Sequence, residues 1–66
     1  MQVVINGEPK ELDGPMTVEG LVSQLGINPQ FCAVERNKML VPRRQHGEVT
    51  VEAGDSLEIV TLVGGG

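Results

Sequence analysis

The chain has 66 residues and a mass of 7.0 kDa, enough for one core and not two, so residues 1–66 are read as a single domain. Nine Asp or Glu against five Lys or Arg give a net charge of −4, and Phe31 is the one aromatic residue. An acidic chain without rings to stack bases argues against nucleic acid. The longest apolar run is four residues, against the roughly 20 that cross a bilayer, which argues against a membrane. Cys32 has no second cysteine to pair with, and no Cys or His cluster suggests a zinc site, so no metal is expected. With no export signal and one unpaired thiol, a cytoplasmic protein is expected, monomeric when free.

Met1 to Asn6 reads as a strand, with Val3 and Ile5 on one face and Val4 on the other. Asn6-Gly7 is a strong hairpin signal because both central positions of a type I′ turn need positive φ. The return strand is predicted through Lys10 to Leu12, ended by Asp13-Gly14-Pro15. The clearest helix follows. Thr17 is placed to cap it, Met16 and Leu21 have the spacing of a hydrophobic staple, and Val18, Leu21, Val22 and Leu25 form one apolar stripe. Gly26 supplies a left-handed stop, and Pro29 prevents continuation.

The second half reads as strands. Phe31 to Asn37 is one, with Cys32 and Val34 opposite Ala33 and Glu35. Asn37-Lys38 turns into Met39-Leu40-Val41, which Pro42 closes. Arg43 to Glu48 is expected as a polar, irregular loop, Val49 to Val51 as a short strand, and Leu57 to Val63 as the last strand. Hairpin, helix and further strands fit an α+β fold: a small mixed sheet with one main helix packed on one face.

No residues are assigned a catalytic role. His46 stands far in sequence from Ser23 and Cys32, no nucleophile motif surrounds any of them, and so small a domain has little room to enclose a substrate. His46 is expected to be a solvated loop side chain and Cys32 a small buried hydrophobe. The carboxylates are scattered as a solvated surface would have them. Four of the five cations, Arg36, Lys38, Arg43 and Arg44, fall within nine residues and leave one basic patch on a negative body, read first as a loop kept soluble and alternatively as steering and registry against a partner.

Two features point outward. Val60 and Leu62 on the last strand oppose the inward Leu57 and Ile59 yet are as apolar, so they, with Val4, are expected to form an exposed patch. The sequence then ends in Gly64-Gly65-Gly66. Such a tail is thin and conformationally free, suited to threading a C-terminal carboxylate into another protein's active site. Adenylation by ATP would convert that unreactive carboxylate into an acyl phosphate anhydride open to attack.

Val-Glu-Arg-Asn at 34–37, Val-Pro-Arg at 41–43, Gly-Asp at 54–55, Ile-Val at 59–60 and Val-Gly-Gly-Gly at 63–66, in that order, resemble the sulfur-carrier proteins of thiamin biosynthesis (ThiS) over the whole chain. The resemblance implies a ubiquitin-like β-grasp fold and a carrier rather than an enzyme. It implies that Gly66 is adenylated by a ThiF-type, E1-like enzyme using ATP and magnesium, with no cofactor held by this chain itself. Sulfur relayed from cysteine through a desulfurase would leave a thiocarboxylate on Gly66 for a ThiG-type thiazole synthase. Gly64 and Gly65 would be the thread, Val60, Leu62 and Val63 part of the docking surface, and Arg43 a contributor to one of the complexes. The alternatives are a carrier of another pathway, resembling the small subunit of molybdopterin synthase, a ubiquitin-like modifier of lysines, and an interaction module with an incidental tail.

Overall fold

A computed structural model describes residues 1–62; Val63, Gly64, Gly65 and Gly66 lie outside the described residues. β1 (Gln2–Ile5) and β2 (Glu8–Glu11) form an antiparallel hairpin around Asn6 and Gly7, whose φ values of 51° and 82° are those of the I′ turn. The short strand β3 (Met16–Thr17) leads directly into helix α1 (Val18–Gln24). A 3-10 turn (Pro29–Phe31) precedes β4 (Cys32–Arg36), followed by β5 (Met39–Val41), a second 3-10 turn (Arg43–Gln45), β6 (Thr50–Val51) and β7 (Ser56–Thr61).

Five strands make one mixed sheet in the order β2-β1-β7-β4-β5, and β3 and β6 pair separately. The last strand is thus central, parallel to β1 and antiparallel to β4. One face of this sheet and the helix enclose an aliphatic core of Val3, Leu12, Val18, Leu21, Val22, Val34, Val41, Val51, Leu57 and Ile59, with Cys32 among them. Strand alternation accounts for the division: Leu57 and Ile59 are buried, whereas Ser56, Glu58 and Val60 are exposed.

The helix is short but closed at both ends. Thr17 Oγ1 accepts the Gly20 N–H at 3.0 Å, as expected of the cap. The next two orphan donors are met from a distance: Val18 N–H donates to Val49 O at 2.9 Å and Glu19 N–H to His46 O at 2.8 Å. At the other end Gly26, at φ 76°, turns the chain so that its N–H reaches Ser23 O and the Ile27 N–H reaches Val22 O, a Schellman closure.

The expected strand bounds shift: the first strand is Gln2–Ile5 instead of Met1 to Asn6, and the return strand is Glu8–Glu11 instead of Lys10 to Leu12. Phe31 belongs to a 3-10 turn instead of the strand, because Asn28 caps that turn by accepting the Gln30 N–H at 2.9 Å and Pro29 presets its φ. Val49 precedes β6, and Leu62 follows β7. His46 is a correction of another kind. It is 3% exposed, where a solvated loop side chain was expected, and its Nε2 lies 3.1 Å from Val41 O. The Arg43–Glu48 segment is held against the start of the helix by the bonds just described, and that carries the imidazole inward.

Candidate functional site

Among the described residues, no layer covers the face of the sheet away from the helix. Across it the register sets Val60 opposite Ala33, and Glu58 opposite Glu35, which in turn is opposite Leu40 of β5. Together with Lys38 these side chains line an open groove of about 400 Å³. Val60 is 55% exposed and Leu62, just beyond the strand, is 46% exposed. The Leu62 N–H donates to Phe31 O at 2.6 Å, which places the equally exposed Phe31 beside it. Val4 belongs to the same face but is half-buried at the Ser56 end of β7, away from Val60. The exposed apolar surface expected of Val60 and Leu62 is present, and it extends to Phe31 and Leu40, which the sequence reading did not place there. Alternation had already turned Ala33 away from the core; only the strand order brings Leu40 beside it.

Val63, Gly64, Gly65 and Gly66 fall outside the described residues, so the geometry bears on the tail only through the strand that leads to it. That strand is anchored at its other end by a polar cluster. Asp55, 7% exposed, accepts from Arg36 Nε at 2.7 Å, from the Glu52 N–H at 2.8 Å and from Asn37 Nδ2 at 3.1 Å. Burial pushes the Asp55 carboxyl up, but the Glu52 N–H, the guanidinium and the Asn37 amide outweigh it and hold the pKa below the ordinary range. The Asp55 hydrogen bond in turn raises Arg36, against the smaller opposing effect of burial. Asn37 completes the cluster by accepting the Ser56 N–H at 3.0 Å and donating its own N–H to Ser56 O at 2.7 Å. Two of the motifs singled out in the sequence, at 34–37 and 54–55, are therefore one structural clamp between the β4–β5 turn and the start of β7.

This clamp corrects one expectation. Asp55 is no solvated surface carboxylate, since its charge is needed inside. The four clustered cations are placed differently: Arg36 is committed to Asp55, Lys38 lines the groove on the open face, and Arg43 and Arg44 are exposed on the second 3-10 turn beyond β5. Cys32 is buried in the core as expected, its Sγ 3.7 Å from Pro29 O. Among the described residues no group of three His, Cys, Asp or Glu side chains could hold a metal ion, and no helix is long and apolar enough to cross a membrane.

The ThiS family model matches residues 3–66. The chain belongs to the ThiS family. Among individual proteins, it is 32% identical to the ThiS thiamine biosynthesis protein of Geobacter metallireducens, whose crystal structure superposes with a TM-score of 0.86 over all of both chains. The sheet order and single helix described above are thus the ubiquitin-like β-grasp of ThiS proteins. The sulfur carrier protein ThiS of Escherichia coli is 29% identical over the full length of both. A thiazole synthase of Paramagnetospirillum magneticum is 47% identical over all 66 residues, and there the chain spans only 20% of the relative's length.

Proposed function

We propose that this chain is a sulfur carrier of thiamin biosynthesis whose reactive atom is the C-terminal carbonyl carbon of Gly66. The observation that carries the reading is the ThiS family match, which runs through residue 66. The geometry agrees with it. The central strand, pinned at Asp55 and bracketed by neighbours on both sides, leads out beside an open apolar face to the glycines.

In this reading the chain is a substrate of its partners and not itself an enzyme. The carboxylate of Gly66 attacks the α-phosphate of ATP in a ThiF-type activating enzyme, pyrophosphate leaves, and an acyl adenylate remains. ATP and magnesium belong to that partner. The outer sulfur of a desulfurase persulfide, drawn from cysteine, then attacks the carbonyl carbon and AMP leaves; a thiol reductant cleaves the resulting acyl disulfide and releases the thiocarboxylate. Gly64 and Gly65 thread the passage because they carry no side chain to obstruct it. Val60, Leu62 and Val63 dock on the recipient, a thiazole synthase, and Arg43 contributes a charge at the rim of a complex. The thiazole synthase relative, with a segment matching this whole chain, supports that choice of recipient.

Mass spectrometry tests the reading. After incubation with ATP, magnesium, a ThiF-type enzyme and a sulfur source, the oxygen-to-sulfur mass gain should appear on the C-terminal fragment and vanish when Gly66 is deleted. Localisation matters because oxidation of Met1, Met16 or Met39 nearly matches that gain. An unmodified C-terminal fragment, with an enzyme that charges the Escherichia coli carrier in parallel, would exclude the proposal.

A further inference from the structure

Glu35 of β4 and Glu58 of β7 stand directly opposite each other on the open face of the sheet. In that position their Cβ atoms are about 4.5–5.5 Å apart, and like charges so placed work against folding. Among the described residues no ion pair or side-chain hydrogen bond joins either glutamate to a cation. The ion pairs there join Met1 with Glu11 and Arg36 with Glu52 and Asp55; Lys38 lines the same groove without pairing with either glutamate. The contrast with the other face of the same ladder is instructive. One residue along β4, Arg36 meets a buried aspartate at 2.7 Å, so the fold neutralises a carboxylate where its own stability requires it. On the open face it leaves two exposed.

Their surroundings indicate what would neutralise them. Leu40, Glu35 and Glu58 lie in one row across three strands, and Ala33 and Val60 make the next row. The groove of about 400 Å³ therefore sets two negative charges beside an apolar strip. A guanidinium has five N–H donors in a planar fork and can serve two carboxylates at once, whereas an ammonium is a compact point charge. The alkyl stem of an arginine also lies comfortably along apolar surface. We propose that this groove receives an arginine side chain of the recipient thiazole synthase, its guanidinium between Glu35 and Glu58 and its stem along Ala33, Leu40 and Val60. The proposal rests on the sulfur-carrier reading and specifies the recognition on its docking face.

The test is the affinity of the unmodified chain for the thiazole synthase of the same organism, by calorimetry at low and high salt. The double variant Glu35→Gln/Glu58→Gln should bind about tenfold more weakly at low salt and lose most of the salt dependence. Its melting temperature should hold or rise, because the repulsion is gone, so weaker binding could not be blamed on unfolding. Glu8→Gln/Asp13→Asn removes the same net charge on the edge strand β2 and just after it, and should leave the affinity near wild type.

Unchanged affinity in the Glu35/Glu58 variant overturns the proposal, as does equal weakening in both double variants, which would mean overall charge alone. Weakening confined to the activating enzyme overturns it too, as does a wild-type chain that does not bind the synthase. Thiocarboxylate formation on wild-type Gly66 is scored separately, so failure of the carrier reading is distinguishable from failure of the arginine site.

Discussion

At the scale of single residues, Asp55 shows how a charge comes to be kept inside so small a domain. Burying a carboxylate is costly unless its acceptor positions are filled, and here a backbone N–H, a guanidinium and an amide fill them. Replacing Asp55 with Asn should cost about 2 kcal/mol at neutral pH by removing a charge-assisted bond from Arg36. The pH dependence has a definite sign. Because the folded-state pKa lies below the ordinary 3.8, the carboxylate stabilises the fold above that value, and the contribution is lost as pH falls through the folded-state pKa. Urea melts of wild type and variant should therefore differ most near neutrality and converge as pH falls through the folded-state pKa. Asp55 looks in the sequence like any other turn aspartate after a glycine. Its side-chain partners, Arg36 at the end of β4 and Asn37 in the turn after it, stand 19 and 18 residues away, which local spacing does not reveal.

At the scale of elements, the first hairpin and the helix each carry a feature that mutation can isolate. Asn6 serves the I′ turn through its backbone and the sheet through its side chain. Its Nδ2 donates to Ile59 O at 3.1 Å and its Oδ1 accepts the Ile59 N–H at 2.8 Å, extending the β1–β7 pairing beyond Ile5. Asn6→Gly preserves the positive φ and removes only the bracket, so a loss of about 1–2 kcal/mol in chemical denaturation is expected. Gly20 is the opposite case. A Cβ built there meets Thr17 Oγ1 at 3.4 Å and Met16 Cβ at 3.8 Å, ordinary contacts, so no close approach requires a glycine. Gly20→Ala should raise stability by about 0.5–1 kcal/mol through helix propensity. No change or a loss on thermal melting would mean that the 3.4 Å contact disturbs the cap.

For the whole molecule, the decisive property is that one face of a five-stranded sheet is covered and the other is open. The described residues supply one α-helix and one aliphatic core, and they leave the second face of the sheet uncovered. The two faces should respond to substitution in opposite ways. Leu57→Ala, at a fully buried position on the covered face, should cost about 2–5 kcal/mol of stability. Val60→Asp, three residues on and on the open face, should leave stability within about 0.5 kcal/mol. The same change should weaken binding to the thiazole synthase at least tenfold. A Val60→Asp chain that binds as well as wild type would remove the open face from the docking surface.

What the sequence determined by itself was whatever depends on neighbours along the chain. The Asn6-Gly7 turn, the Thr17 cap, the apolar stripe of the helix, its stop at Gly26 and the alternation that turns Val60 away from Leu57 are all local, because turn chemistry and side-chain period act over a few residues. The terminal glycines and ordered motifs likewise carried the family resemblance. Tertiary structure alone decided which strands became neighbours. It made the last strand central, joined the motifs at 34–37 and 54–55 into one clamp, drew His46 inward and set Glu35 against Glu58 beside Leu40. Each of these depends on pairing between segments distant in sequence, which chain closure and burial of one shared core select.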